Sequence, residues 1–434
     1  MEKLFRKSFL VFTFLFVIMI LILLIKNPSM DFRSYPTIID KVRYFTVRES
    51  DYENNMEGMW RGLSNEQKGK LSKLGEILYL DHSLPKVDAS RNYTFLIWKH
   101  GPSQEFRHIR HYTKQRFDPF EKCSVKNCYI TYKDEDLEIA DLVVFHLHRT
   151  RGVDELPTGP RNPQQIWTFL TDESPFHTFT YSRNNVLKNY DGLFNWSMSY
   201  RMDCDIPVPY GRTVALKMEE AAEEENFDTW NANKSQDVFV AIMGSNCGGR
   251  NNRWKYVKEL QKYIQVDIYG HCGPLKCPGH FLVDCPKLSK YKFYLAFENS
   301  NCDEYITEKL WWNAYAKNAI PIVMGSPKHQ YRQLLPPNSY ISVDDFTAPK
   351  HLANYIIYLN NNPHEMKRYF KWKKYFKILN EHAYFQTNSV HYCRICEALN
   401  YNSKKNKVYT NLENFWNKYN NCYPAWDAEL VGTA

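Results

Sequence analysis

One stretch, residues 293–325, constrains the fold of this chain more than any other. It starts with a short apolar run at residues 293–297, passes through a polar loop, and ends with a second apolar run at residues 319–324. Between the loop and the second run, Thr307 is a typical N-cap, and the lysine and asparagine at 317–318 are typical of a helix end. The order of strand, loop, helix and strand predicts a βαβ unit in a parallel sheet.

The same stretch predicts an anion-binding site. In a βαβ unit, the helix that follows a strand directs its N-terminal N–H groups towards the carboxyl edge of the sheet. Glu308 and Lys309 fall in the first turn of that helix, and Lys309 would add a mobile positive charge there. A nucleotide diphosphate fits such a site, whereas an ordinary βαβ unit with a charged loop is the simpler alternative.

Residues 297–314 contain the segments FENSNC, YITEK and NA, in that order. This pattern closely resembles the donor-binding motif of the animal α1,3-fucosyltransferases, which transfer fucose from GDP-fucose to N-acetylglucosamine-containing glycans. Residues 193–211 and 244–254 resemble other motifs of the family, and the resemblance as a whole covers residues 93–400. It implies an inverting α1,3-fucosyltransferase that uses GDP-fucose as its donor and acts in protein glycosylation.

Apolar runs in both halves of the chain predict two α/β domains with parallel sheets. Runs at 93–98, 139–145 and 166–170 belong to the first domain, and runs at 238–243 and 266–269 to the second. Because ligands of open α/β sheets bind at the carboxyl ends of strands, we expect two Rossmann-like domains that face each other across a cleft, the GT-B architecture. The predicted plan is a cytosolic tail (1–8), a transmembrane signal-anchor (9–25), a stem (26–90), an N-terminal acceptor-side domain (91–236), a C-terminal GDP-fucose-binding domain (237–362), and C-terminal helices with a disulfide-bearing tail (363–434).

The first residues predict a membrane anchor. Lys3, Arg6 and Lys7 precede an apolar run at residues 9–25, which reaches the short end of the roughly 17–25 residues that a membrane span needs. No small-x-small cleavage site follows, so we expect an uncleaved anchor with its basic end in the cytosol; a cleaved signal peptide is the alternative. Together with the resemblance, this implies a single-pass type II protein of the Golgi membrane whose catalytic part is luminal.

Residues 26–90 are polar and are expected to form a stem that holds the catalytic part off the membrane. An early helical subdomain is the alternative for the end of this segment, because four apolar residues there keep helical spacing. They are Leu71, Leu74, Ile77 and Leu78.

The charge of the chain argues against a nucleic-acid partner. The formal net charge of +8 is a mild excess of 56 lysines and arginines over 48 acidic residues. A nucleic-acid-binding protein would concentrate its basic residues in one surface stripe. The densest basic cluster, residues 367–377, interleaves bases with aromatic residues, and its alternative role is to bind RNA or an anionic surface. We favour a helix over residues 363–379, following one at 349–359, whose aromatics pack inward while its lysines face water.

Cysteines and glycosylation sequons fit an oxidising lumen. The chain has eleven cysteines, so at least one has no partner within the chain, and we expect Cys393 and Cys396 to form structural disulfides rather than a zinc site. Where the family has serine this chain has Cys204, which is the candidate for the odd thiol. The sequon at Asn195 lies inside a family motif, which argues against its use. The sequons are at Asn92, Asn195 and Asn233.

The catalytic base is expected in the first domain. Glu173 follows the apolar run at 166–170, so it should lie at the carboxyl edge of the sheet, and Pro175 keeps its segment in a loop. The segment resembles the family's ESP motif, whose glutamate faces the acceptor. A helix-start or surface carboxylate is the alternative interpretation of Glu173.

The leaving diphosphate needs cationic side chains, and the resemblance points to Arg250, which follows a glycine-bearing turn, and to Lys309. In the donor loop, Tyr305 is expected to stack or to hydrogen-bond near the nucleotide. Glu298 and Glu308 are expected to hold sugar or ribose hydroxyls or to face the developing charge on the fucose carbon, unless one of them is only a cap.

No metal ligand is expected in the site, because cationic side chains can stabilise the leaving group. The Asp-x-Asp pattern of Asp203 and Asp205 lies in the first domain, outside the donor domain. No cofactor is required for the chemistry, GDP-fucose is the donor substrate, and a divalent cation, manganese or magnesium, is at most a stimulant.

Two alternative functions remain: a GT-B transferase for another nucleotide sugar, and a membrane-anchored glycan-binding protein without catalysis. The acceptor is either the N-acetylglucosamine of the N-glycan core or an antennal lactosamine-type unit.

Overall fold

The computed structural model describes residues 61–88, 90–182, 184–217, 226–279, 282–404 and 407–427. The predicted cytosolic tail, the membrane anchor and most of the predicted stem lie outside these ranges. Within them, every helix is too short or too polar to cross a membrane. All described residues belong to one compact unit of the chain, residues 50–434.

Short parallel strands alternate with helices along most of the described chain. The strands are β1 (Tyr93–Ile97), β2 (Cys128–Thr131), β3 (Leu142–His146), β4 (Ile166–Thr171), β5 (Trp196–Ser199), β6 (Ile206–Pro207), β7 (Gly211–Ala215), β8 (Val240–Met243), β9 (Asp267–Tyr269), β10 (Phe293–Phe297), β11 (Ile320–Met324), β12 (Ile341–Ser342) and β13 (Phe376–Asn380). The α-helices are α1 (Asn65–Lys70), α2 (Lys73–Leu80), α3 (Gly101–His108), α4 (Phe227–Ala232), α5 (Arg253–Leu260), α6 (Glu308–Trp311), α7 (Lys328–Leu334), α8 (Pro349–Asn361), α9 (Pro363–Lys367) and α10 (His391–Tyr401). Short 3₁₀ helices occupy Asp134–Glu138, Val153–Glu155, Pro175–His177, Leu187–Tyr190, Pro286–Lys290, Tyr315–Lys317, Val343–Asp345, Arg368–Lys374, Tyr384–Gln386 and Leu412–Asn414.

The first sheet has the strand order β2-β1-β3-β4-β5-β6, and every pair in it is parallel. Every residue of its central strands β3, β4 and β5 is buried. A parallel sheet that is covered on both faces needs such continuous apolar strands, which explains why the sequence shows runs rather than alternation. The predicted α/β class with parallel sheets is confirmed.

The second sheet has the order β12-β11-β10-β8-β9 and is also parallel throughout. The βαβ unit predicted at 293–325 lies at its centre, where β10 pairs with β11 from Phe293 opposite Ile320 to Phe297 opposite Met324. All ten residues of these two strands are buried. The carboxyl ends of β10 and β11 therefore emerge side by side at one edge of the sheet.

Helices α2 and α10, far apart in the sequence, both pack on the first sheet. Leu74 and Leu78 of α2 join its core together with Ile395 and Leu399 of α10. The helical alternative for residues 71–78 thus applies, and this part of the predicted stem is folded against the sheet. The reason is the apolar spacing itself, since a helix with a buried stripe gains more from a core than from solvent.

Two helix predictions needed correction. The helix after the donor loop begins after Thr307 as expected, but α6 ends at Trp311 rather than near 317–318. A separate 3₁₀ helix precedes Asn318, which has the left-handed φ of 56°. The helix predicted at 363–379 ends at Lys367, gives way to a 3₁₀ helix, and becomes β13, which pairs antiparallel with β7. The partner strand and the burial of Phe376 override the helical spacing there.

The cysteine predictions are confirmed. Cys393 pairs with Cys123 and Cys396 with Cys128, so α10 is tied to the first sheet by two disulfides. Cys204 is buried and free, as the family comparison of that position suggested. The remaining disulfides are Cys247–Cys272, Cys277–Cys285 and Cys302–Cys422.

Candidate functional site

Two loops, one from each parallel sheet, meet at the candidate site. Glu173 lies in the loop that leaves β4, and the loop that leaves β10 carries Ser300 and Tyr305. The Tyr305 hydroxyl donates a hydrogen bond to Glu173 Oε2 at 2.9 Å, and the Ser300 hydroxyl donates to Ser174 Oγ at 2.7 Å. The segments that the sequence assigned to the base and to the donor are therefore in direct contact.

Glu298 is the anchor of the loop after β10. Its side chain is 1% exposed and accepts hydrogen bonds from the backbone N of Thr307 at 2.8 Å and from the Thr307 hydroxyl. Burial raises the pKa of Glu298 above its ordinary range, although the nearby Lys309 opposes that shift. Gly325 lies against it, since a Cβ there would come within 2.9 Å of Glu298 Cγ. The position of this carboxylate therefore requires a glycine at the end of β11.

Lys309 is held in place rather than mobile, which corrects the sequence prediction. Its ammonium lies 3.0 Å from Glu298 Oε2, 3.3 Å from Glu308 Oε1 and 2.8 Å from Thr307 Oγ1. Burial opposes its charge, but Glu298 and Glu308 outweigh burial and raise the pKa of Lys309 further above its ordinary range. Burial likewise opposes the charge of Glu308, and Lys309 overcomes it to hold the pKa of Glu308 below its ordinary range. The charged forms of Lys309 and Glu308 are therefore stabilised, whereas burial disfavours the charged form of Glu298.

The two arginines near the glycine turn have different environments. Arg250 is exposed, and its guanidinium carbon lies 5.9 Å from the ring centre of Phe176, in the loop of Glu173. Arg253 is buried and donates to the carbonyl oxygens of Phe297 at 3.0 Å and Asn246 at 2.7 Å. Burial lowers the pKa of Arg253. Arg253 therefore braces the turn, whereas Arg250 is exposed beside the loop that carries Glu173.

The segment that contains the Asp-x-Asp pattern is part of the packing. Arg201 forms an ion pair with Asp203. Asp205 accepts hydrogen bonds from the backbone N of Ser197 at 2.9 Å and from Lys407 at 2.8 Å. Both carboxylates are therefore engaged by protein groups.

Two features of the site had no signal in the sequence. The Tyr305–Glu173 hydrogen bond joins residues 132 positions apart, and the sequence had assigned Tyr305 to the nucleotide instead. Glu304, in the same donor loop, is partly buried and has a left-handed φ of 53°. Burial, together with Asp203, raises the pKa of Glu304 to about 8. Acidic residues of one loop look alike in sequence, so the raised pKa of Glu304 could not be predicted from the motif.

A third feature lies directly behind Glu173. Asp172 forms an ion pair with Arg107 of α3 at 2.6 Å, and His382 Nε2 lies 3.5 Å from the same carboxylate oxygen. Burial opposes the charge of Asp172, but Arg107 and His382 hold the pKa of its carboxyl well below its usual range. Burial lowers the pKa of His391 well below its usual range and also lowers the pKa of His382. This buried group draws on three distant parts of the chain, which is why no local motif revealed it.

The arrangement defines a class of protein, an open α/β protein with a candidate site where loops from two parallel sheets meet. Sequence comparison then identifies the family. The model described as "Fucosyltransferase, N-terminal" matches residues 90–211, and the one described as "Glycosyltransferase family 10 (fucosyltransferase) C-term" matches residues 232–416. The chain belongs to glycosyltransferase family 10.

Relatives agree with this assignment. A glycoprotein 3-α-L-fucosyltransferase A of Drosophila melanogaster is 34% identical over 354 residues, which cover 79% of this chain and 64% of the relative. The human 4-galactosyl-N-acetylglucosaminide 3-α-L-fucosyltransferase FUT6 is 38% identical over 251 residues, 57% of this chain and 66% of that protein. The α-(1,3)-fucosyltransferase 7 of Rattus norvegicus is 32% identical over 305 residues, 69% of this chain and 74% of the relative. The chain thus spans just under two thirds of the length of the fly and human proteins.

A crystal structure of an α1,3-fucosyltransferase with GDP-fucose aligns with 78% of this chain and 98% of its own, with a TM-score of 0.44 and 17% sequence identity.

Proposed function

We propose that this protein is an inverting α1,3-fucosyltransferase that transfers fucose from GDP-fucose to an N-acetylglucosamine residue of glycoprotein glycans. Membership of glycosyltransferase family 10 and the names of the fly, human and rat relatives support this reaction. The observation that carries the assignment of the base is the hydrogen bond from Tyr305 to Glu173, which fixes a carboxylate of the first sheet against the donor loop of the second.

The reaction is a single displacement. Glu173 removes the proton from the acceptor hydroxyl as that oxygen forms a bond to the anomeric carbon of fucose on the face opposite GDP. The bond between this carbon and the β-phosphate oxygen breaks, and GDP leaves with the electron pair. A β-linked donor thereby gives an α-linked product. Glu173 is partly exposed, which suits a group that has to meet the acceptor.

The departing diphosphate is stabilised by fixed positive charge. Arg250 is exposed at the turn after β8, and a guanidinium can bind two phosphate oxygens at once. Lys309 contributes from within the Glu298–Glu308 network, which holds it without freedom to move. Because preorganised donors of this kind are worth roughly 3–4 kcal/mol each, no step has to pass through a metal ion. Glu308 binds hydroxyls of the sugar or the ribose, because its side chain is 19% exposed whereas that of Glu298 is 1% exposed.

The protein is further proposed to have the GT-B arrangement and to be a type II protein of the Golgi membrane with a luminal catalytic part. Two parallel sheets with adjoining loops support the first point. Five disulfides, three sequons and the apolar run at 9–25 support the second, since disulfides persist in oxidising compartments. Its partners are GDP-fucose, glycans that contain N-acetylglucosamine, and the Golgi membrane.

The test is a transfer assay with the full chain in detergent. The donors are GDP-fucose, GDP-mannose and UDP-galactose, and the acceptors are N-glycan core glycopeptides and lactosamine units. Fucose on N-acetylglucosamine with GDP-fucose alone supports the proposal, and the position of the new fucose identifies the acceptor. Transfer from another donor would replace the donor assignment, and tight GDP-fucose binding without any transfer would favour a glycan-binding protein.

A further inference from the structure

Behind the loop that carries Glu173, the fold gathers four histidines around one aspartate. Asp172 follows β4, His146 ends β3 and His108 ends α3, while His382 and His391 come from the segment that leads into α10. All five side chains lie deep in the protein, with residue exposures between 1% and 5%. Imidazoles and carboxylates are common in proteins, but five of them buried together from four separate segments form an unusual environment.

Several ring nitrogens and a carboxylate oxygen of this group have no hydrogen-bond partner in the described part of the chain. They are His391 Nε2, His382 Nδ1, His108 Nε2, His146 Nδ1 and Asp172 Oδ1. His382 Nε2 is 3.5 Å from Asp172 Oδ2, which is too long for a good hydrogen bond. Buried polar atoms are almost always paired in folded proteins, so a shared set of unpaired ones indicates a missing ligand.

We propose that Asp172, His382 and His391 bind a zinc ion. Each offers one ligand atom, and these atoms lie within 4.8 Å of one another. Two imidazoles and one carboxylate bind zinc in preference to magnesium, calcium or manganese. Arg107 keeps Asp172 Oδ2, so Oδ1 is the oxygen that faces the ion.

The outer partners of the ligands support this assignment. Ser389 Oγ lies 3.3 Å from His391 Nδ1, which leaves Nε2 of that ring directed into the cluster. The ring of Tyr210 stacks on His382 at 3.9 Å, and its hydroxyl donates to the carbonyl oxygen of Asp172 at 2.7 Å. Metal-binding histidines usually hydrogen-bond through their second ring nitrogen, as His391 can to Ser389, whereas the ring of His382 is oriented by stacking on Tyr210.

The proposed ion would hold the loop after β4 in place. The ion would join the loop after β4 to the segment before α10, two parts of the chain more than two hundred residues apart in sequence. Because Asp172 precedes Glu173 directly, the ion would fix the backbone from which Glu173 extends. It would bind behind the cleft and take no part in bond making or breaking, so the inference does not depend on which sugar is transferred.

The test measures metal content rather than activity. The full chain, purified in detergent, is stripped with a chelator, incubated with ZnSO4 and freed of excess metal, and zinc is then counted by mass spectrometry of the elements. We expect about one zinc per chain in the wild type and at least ~10-fold less in His391→Gln. His271→Gln, which changes an exposed histidine, is the matched control and should keep the ion. Wild type without zinc, or equal zinc in His391→Gln, would overturn the proposal.

A second measurement on the wild type covers the case in which His391→Gln fails to fold. X-ray absorption at the zinc edge should show nitrogen and oxygen neighbours at about 2.0–2.1 Å and no sulfur. Sulfur neighbours would place the ion on reduced cysteines and overturn the proposal. Neither measurement uses a sugar donor, so a failure here leaves the transferase proposal untouched, and a failure of transfer leaves this one untouched.

Discussion

Two glutamates occupy the same topological position in the two sheets, and they differ in almost every other respect. Glu173 comes just after β4 and Glu298 just after β10, each at the carboxyl end of a fully buried parallel strand. Glu173 is partly exposed and accepts a hydrogen bond from Tyr305, whereas Glu298 is 1% exposed and is held by Thr307 and Lys309. In both sheets the position after the strand brings a carboxylate to the site. The hydrogen-bond donors around each carboxylate then determine whether it is free to accept a proton.

The largest effect is expected from Glu173→Gln. The amide cannot take a proton from the acceptor, so kcat should fall by roughly 10²- to 10⁴-fold, while it still accepts the Tyr305 hydrogen bond and the melting temperature should hardly change. Rates with GDP-fucose and a thermal unfolding curve check both points. Glu66→Gln, at an exposed carboxylate, is the control. A wild-type rate in Glu173→Gln would exclude Glu173 as the base.

Glu298→Gln should act on stability before it acts on the reaction. The substitution leaves the buried ammonium of Lys309 without its closest carboxylate, and breaking a buried ion pair costs about 3–5 kcal/mol of unfolding free energy. Denaturant unfolding measures the loss. Glu308→Gln is the matched control, because Glu308 is more exposed and lies farther from Lys309. If the two variants are equally stable, Glu298 is not the principal partner of Lys309 in the folded loop.

Glu304 supplies a pH dependence within the donor loop. Its carboxyl is raised to a pKa of about 8 by burial, so between its ordinary value of 4.5 and about 8 the folded protein holds a proton that the unfolded chain has lost. This contribution to stability is complete below the ordinary pKa and is lost as the pH rises through the raised one. Glu304→Gln should flatten the fall in melting temperature over that window. Parallel curves for both proteins would contradict the assignment.

Tyr305→Phe tests the contact between the two regions. The variant loses the hydroxyl that positions Glu173 but keeps a ring 5.2 Å from that of Tyr200, so kcat should fall about 10-fold, or about 1.4 kcal/mol, with the KM for GDP-fucose unchanged. Tyr200→Phe is a close control, because the Tyr200 hydroxyl is buried without a hydrogen-bond partner in the described chain. A rise in KM with constant kcat would return Tyr305 to the nucleotide, as its sequence motif suggested.

The smallest effect concerns Ser174 and Ser300, whose hydroxyls also link the two loops. A double-mutant cycle with both residues changed to alanine should give a coupling energy of about 0.5–1.5 kcal/mol in unfolding free energy. Coupling near zero would mean that the loops meet through Tyr305 and Glu173 alone.

The sequence predicted the parts of the fold that local chemistry determines. Strands β4, β8 and β10 are apolar runs between polar residues, because a parallel sheet covered on both faces has no polar side. The strand β13 could not be predicted, since its pairing with β7 depends on a segment more than 150 residues away. Within the site, motifs predicted Glu173, Arg250 and Lys309. The contacts of Lys309 with two carboxylates could not be predicted, because they form only in the folded loop.

The way in which α10 closes the first sheet has a consequence for synthesis. Residues of β1 and β3 share a core with Ile395 and Leu399, and the whole second sheet lies between them in the sequence. The second sheet is therefore synthesised before α10, and the strands of the first sheet stay partly exposed until α10 has been made. We expect a chain that ends before His391 to leave the first sheet without part of its core, so that loss of the final segment acts as loss of the first sheet.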